Sequence, residues 1–190
     1  MNRFPPISRL ALSAAGLLLV AVTATAQTAQ PAPAAPTAAT QTRIHEADQT
    51  FITDGTKTVS TQRDAARIAD SRTSDSQVKA FAQRVSTDDA KIIQSMRAAS
   101  PRGIDVPAND PDTTVLDSIK TLRGAEFDKA YIEQVALAGQ QKTISAFQAE
   151  IASGRDTKLK EVARQSLPIL QAHYAEAQKL AQRHHLASAQ

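Results

Sequence analysis

Between residues 43 and 186 apolar side chains recur every three or four positions, and no stretch alternates with a period of two. That pattern predicts helices and no sheet. Four long helices account for it. The first spans Ile44 to Asp70 on Ile44, Ala47, Phe51, Ala65, Ile68 and Ala69; its Thr-rich middle, Thr53 to Ser60 with Gly55, has the poorest helix propensity of the four. Ser74-Asp75-Ser76-Gln77 has capping-box form and opens the second, whose stripe runs through Val78, Phe81, Ala82, Val85, Ile92, Ile93 and Met96 until Pro101 and Gly103 end it. Asp110-Pro111 predicts an N-cap and first-turn proline for a short helix through Val115, Leu116, Ile119 and Leu122, punctuated by Gly124.

The third long helix is expected from Ala125 to Ala152, turning Phe127, Tyr131, Val135, Ala138, Ile144, Phe147 and Ile151 inward, with Ser153-Gly154 as its stop. The fourth begins near Asp156 and carries Leu159, Val162, Ala163, Leu167, Leu170, Ala177, Leu180 and Ala181. Pro168 lies inside it, where it removes one backbone hydrogen bond and predicts a kink just before it. Connections this short suit an antiparallel four-helix bundle with an extra short helix between the second and third long ones.

The N-terminal pattern is different. Arg3 and Arg9 precede an apolar run, Leu10 to Val22, followed by Ala24-Thr25-Ala26. This is the layout of a cleavable secretion signal, residues 1–26, with a run too short for a membrane span. Residues 27–42 (QTAQPAPAAPTAATQT) hold three prolines, no charge and almost no large apolar side chain, and read as a disordered tether; residues 187–190 read as a disordered tail. The expected location is the periplasm or the exterior, with outer-membrane association open, and the mature form needs no transmembrane span.

Composition narrows the function classes. Of 22 Lys and Arg, two lie in the signal, which leaves 20 against 19 Asp and Glu, so the mature chain is nearly neutral. Nucleic acid is not an expected partner, since its recognition needs a basic stripe and, for single strands, stacking aromatics, which are 4% of this chain. There is no cysteine, which excludes disulfides, Zn-thiolate and Fe–S sites, covalent haem and a thiol nucleophile. No Ser/His/Asp constellation or phosphate-cradling glycine loop is present, and no cofactor is implied.

Three phrases, FAQRVSTDD at Phe81 to Asp89, GAEFDKAY at Gly124 to Tyr131 and LPILQAH at Leu167 to His173, resemble in order and spacing an exported bacterial family, domain of unknown function 4142. The resemblance covers Glu46 to Gln182. It implies a ferritin-like four-helix bundle and supplies no reaction. It also implies an inward set of an acid on the first helix, Asp-His on the second and a His on each of the third and fourth. Carried onto this chain, that set becomes Gln62, Asp88-Asp89, Gly139 or Gln140, and His173, so most of its ligand character is lost.

Asp88, Asp89 and His173 are therefore the metal candidates. His173 lies on or beside the buried stripe of the fourth helix, where a hydrogen-bonded core histidine is the plainer reading. The stripe through Val85 and Ile92 passes over positions 88 and 89, so at least one carboxylate should face inward and need a partner: His173, an Arg or Lys from a neighbouring helix, or a hydroxyl. Neighbours on a helix point about 100° apart, which keeps both aspartates from one ion. Glu176 follows His173 at His-x-x-Glu spacing, but the second helix has no matching Glu-x-x-His. His45 and His184-His185 are expected on solvated ends, and Glu126, Asp128 and Glu133 on polar faces. The expectation is a non-enzymatic exported bundle with a binding or envelope-stress role, its partner an envelope component or a second copy; the alternative is a ferritin-like metal binder with a degenerate site.

Overall fold

The computed structural model describes residues 44–186, and the regular structure of these residues is entirely helical. The expected signal, tether and tail lie outside the described residues. Helix α1, residues 46–72, is continuous but of mixed winding: Glu46–Thr50 and Thr56–Arg72 are α-helical, and Phe51–Gly55 between them forms wider π-type turns. Helix α2 is Ser76–Ala99 and the short α3 is Thr113–Ile119. Helix α4, residues 124–153, joins Gly124–Ala130, a π-type stretch Tyr131–Gly139, and Gln140–Ser153. Helix α5, Thr157–Arg183, runs uninterrupted through Pro168, which stands on the exposed side. Among the described residues no helix is long and apolar enough to cross a membrane.

The helix starts are set by acids one or two residues beyond the expected caps. The Asp75 carboxylate, not the Ser74 hydroxyl, accepts from the N–H groups of Gln77 (2.7 Å) and Val78 (3.0 Å). Asp112, not Asp110, accepts from Thr114 N–H at 3.0 Å. A carboxylate at the N-cap satisfies orphan donors and favours the positive end of the helix dipole, so it outcompetes a nearby hydroxyl. Asp156 caps α5 in the same way, through Lys158 and Leu159.

Residues 100–112 lie against α1 and explain its thin apolar stripe. Asp110 N–H donates to the Ser60 hydroxyl (3.2 Å), Asp112 N–H to the Thr61 hydroxyl (2.7 Å), and the Arg63 guanidinium to the Ala108 carbonyl (3.2 Å). The polar face of α1 is thus buried by a loop whose backbone groups need partners. Side chains expected on apolar positions mostly comply; Ala138 is the exception, exposed because the wide turns of α4 rotate it out of the stripe.

The interior falls into two apolar clusters. One gathers Phe81, Phe127, Tyr131, Ile132, Leu137 and Leu180. The other gathers Phe51, Ile52, Met96, Phe147, Leu159 and Leu170. On each long helix the residues between the two clusters are buried and polar: Gln62 on α1, Asp89 on α2, Gln140 on α4 and His173 on α5. This layer holds the residues to which the chemistry of the sequence points.

Candidate functional site

In the polar layer the three candidate residues part company. Asp88 is half-buried and meets His173, Nε2 to Oδ2, at 3.2 Å. Burial holds the His173 imidazole below its ordinary pKa of 6.5 in spite of that carboxylate, so the ring is neutral and its Nε2–H donates to Asp88. The ring is 1% exposed, its Nδ1 has no hydrogen-bond partner among the described residues, and the Phe81 ring stands edge-on to it with centroids 6.4 Å apart. Asp89 is fully enclosed, and neither of its oxygens has a partner. Burial first, then the Asp88 charge, push its carboxyl well above the usual carboxylate range, with Arg63 opposing, so Asp89 holds its proton.

The neighbouring polar groups are committed elsewhere or left single. The Gln62 amide donates to the Val135 carbonyl at 2.9 Å. Gln140 donates to the Leu170 carbonyl at 3.2 Å, and its own oxygen is unpartnered. The Tyr131 hydroxyl is buried without a partner; burial raises its pKa, so the phenol stays neutral.

Of the two registers open for the third-helix histidine position, Gln140 is the one whose side chain enters the core. Gly139 instead makes room: a Cβ there would lie 2.4 Å from Gln62 Nε2. Gly139→Ala is therefore expected to displace the Gln62 amide and lose its bond to Val135, about 1–3 kcal/mol. In a Gln62→Ala background the same change should cost far less. Urea unfolding of the single and double variants checks this, and additive costs would show that the two positions do not share the space.

A model of the family described as domain of unknown function (DUF4142) matches residues 33–180. The chain belongs to the DUF4142 family. No curated protein and no solved structure matches it. In this DUF4142 protein the ligand set that the resemblance implies is not assembled. Gln62 is spent on a carbonyl, Gly139 has no side chain, His173 Nε2 is spent on Asp88, and among the described residues no three His, Cys, Asp or Glu side chains come together as metal ligands. The residues present do not fit a carboxylate–imidazole metal centre.

Two acids that the sequence reading passed over form a second buried polar site. Asp48 on α1, 2% exposed, accepts at Oδ1 from the N–H groups of Arg155 (2.8 Å) and Asp156 (3.0 Å), tying α1 to the turn between α4 and α5. Glu150 on α4, 1% exposed, lies near enough to Asp48 to feel its charge, and neither of its oxygens has a hydrogen-bond partner among the described residues. Burial, then the nearby Asp48 carboxylate, raise its pKa to about 7, with Lys160 opposing and Asp156 adding to the rise. A proton kept on Glu150 avoids two negative charges in one buried site. Gly154 gives the Glu150 head its space, since a Cβ there would stand 2.2 Å from Oε1. The signal was present in the sequence: Asp48 precedes Phe51 by three and Glu150 follows Phe147 by three, placing both acids on apolar stripes.

The remaining expectations are mixed. Glu126 is exposed, but Asp128 is buried at 4%, on the inner side of α4 beside Phe127 rather than on a polar face. His184 meets the capping carboxylate of Asp75 at 3.4 Å instead of standing free in solvent. His45 caps α1, its Nδ1 accepting from Ala47 N–H at 3.3 Å.

Proposed function

We propose that this DUF4142 protein is an exported, non-enzymatic helical bundle that acts by binding, at the cell envelope or in response to envelope stress. Its four long helices are read as an antiparallel, ferritin-like four-helix bundle to which α3 is added. The secretion-signal pattern of residues 1–26 supports the location.

One observation carries the non-enzymatic part. The acid and the imidazole that acid–base chemistry would use, Asp89 and His173, are 0% and 1% exposed. Asp89 is kept protonated and His173 is held by Asp88, so a substrate would have to displace close-packed core to touch either.

Purified protein titrated calorimetrically with Fe(II), Mn(II), Cu(II) and Zn(II) is expected to show no site that depends on His173, and His173→Ala is expected to match wild type. A whole-number metal site that disappears in His173→Ala would replace this reading with a metal-binding one. Substrate turnover abolished by Asp89→Ala would end the non-enzymatic reading outright.

A further inference from the structure

A groove lies away from the polar layer, along the seam where the first part of α1 faces the second half of α4. It encloses about 590 Å³, within the range of small-molecule sites. Its floor and walls are mainly apolar, from Ala47, Phe51, Ala146 and Ala149. On the α1 side it follows the chain from Ala47 to Thr58, about 16 Å at 1.5 Å per residue. The π-type turns Phe51–Gly55 lie within this wall, and such turns recur at functional sites because they break the regular helix surface.

Charge gives the groove a direction. Lys57 from α1 and Lys142 from α4 both line the groove and the pocket that adjoins it at one end, and neither is ion-paired among the described residues. Asp54, exposed and one turn before Lys57, is the acid nearest that end by sequence, so two cations stand against one anion there. The far end holds Glu150 and Ser153. An unpaired lysine couple at the mouth of an apolar trough is complementary to a molecule with a single anionic head and an apolar body.

We infer that the groove between α1 and α4 binds a single-chain amphiphile, its carboxylate or phosphate head between Lys57 and Lys142 and its chain along Phe51, Ala146 and Ala149 toward Ala47. The buried Glu150 carboxyl at the far end sets the orientation, because an anionic head placed there would meet the acid pair with Asp48. The inference rests on the binding reading given above and adds to it the site and the ligand class.

The probe is sodium dodecanoate below its micellar concentration, titrated calorimetrically into the purified protein. Saturable one-to-one binding is expected, weakened about tenfold or more in Lys57→Ala/Lys142→Ala and abolished by Ala149→Trp, which fills the trough from an exposed position. Dodecyl phosphate should bind comparably, and dodecan-1-ol, with the same chain and no charge, about tenfold more weakly. Unchanged helical circular dichroism and melting temperature in the variants keep the comparison about binding.

Absence of saturable binding, or binding blind to Ala149→Trp, overturns the site. Binding that Ala149→Trp blocks but that ignores both lysines and the missing charge overturns the anionic assignment. Mass spectrometry of the recovered probe separates this inference from the reading beneath it. Intact dodecanoate supports both, whereas bound and chemically altered dodecanoate would leave the site standing and overturn the non-enzymatic role.

Discussion

Phe147→Ala is expected to destabilise the protein by about 3–5 kcal/mol, the usual range for removing a buried aromatic ring. Phe147 is fully buried in the cluster with Leu159 and Leu170, and its ring meets Phe51 edge-on, centroids 4.9 Å apart at 83°. That contact fastens the π-type part of α1 to α4, where Gly55 and Thr53, flanked by Thr50, Thr56 and Thr58, give little helix propensity of their own. The loss therefore combines apolar transfer, a residual cavity and an aromatic pair. At roughly 2–4 °C per kcal/mol for a domain of this size, the melting temperature should fall on the order of 10 °C. Phe147→Leu should recover much of it. A measured loss under about 1 kcal/mol for the alanine variant would mean that α1 does not depend on this anchor.

Glu150→Gln is expected to act in the opposite direction and only above acidic pH. The carboxyl titrates near its ordinary value of 4.5 in the unfolded chain and near 7 in the fold. Its folded value is raised, so the folded state holds the proton more tightly. Stability contributed by this group is intact below about 4.5, declines as pH climbs, and is fully lost above about 7. The gap amounts to about 3 kcal/mol at roughly 1.4 kcal/mol per unit. Glutamine has nearly the same shape, can offer Asp48 an N–H donor and cannot ionise. The variant should therefore melt several degrees higher than wild type at pH 8, with the difference shrinking toward zero near pH 4. Paired thermal unfolding across that range checks it, and a difference flat with pH would show that Glu150 does not carry the titration. Burial sets the sign, Asp48 and Asp156 add to it by repelling a second negative charge, and Lys160 opposes them.

The helices were legible because their stripes are strong: Val78 to Met96 and Leu159 to Ala181 bury the side chains that three- and four-residue spacing selects. So was an inward aspartate, since position 89 interrupts a stripe that Val85 and Ile92 otherwise continue. Two things were not. Which aspartate takes His173 depends on how α2 is rotated against α5, and intrahelical spacing is silent about rotation between helices. The Asp48–Glu150 pair joins residues a hundred positions apart, and each acid alone looks like an ordinary charge beside a hydrophobic neighbour. The polar side of α1 misled for a related reason: Ser60, Thr61 and Arg63 are buried by residues 100–112, a cover that periodicity does not record.

The wide winding of α4 over Tyr131–Gly139 bears on how this chain is compared with its relatives. A π-type turn accommodates one residue more than an α-turn, so a single insertion or deletion can be absorbed there while everything downstream keeps its facing. The two positions that the resemblance leaves open, Gly139 and Gln140, fall at the end of this stretch. Homology across this stretch is therefore better judged by which side chain occupies the interior slot opposite His173 than by column number, and two relatives can share that slot while disagreeing in every gap placement around it.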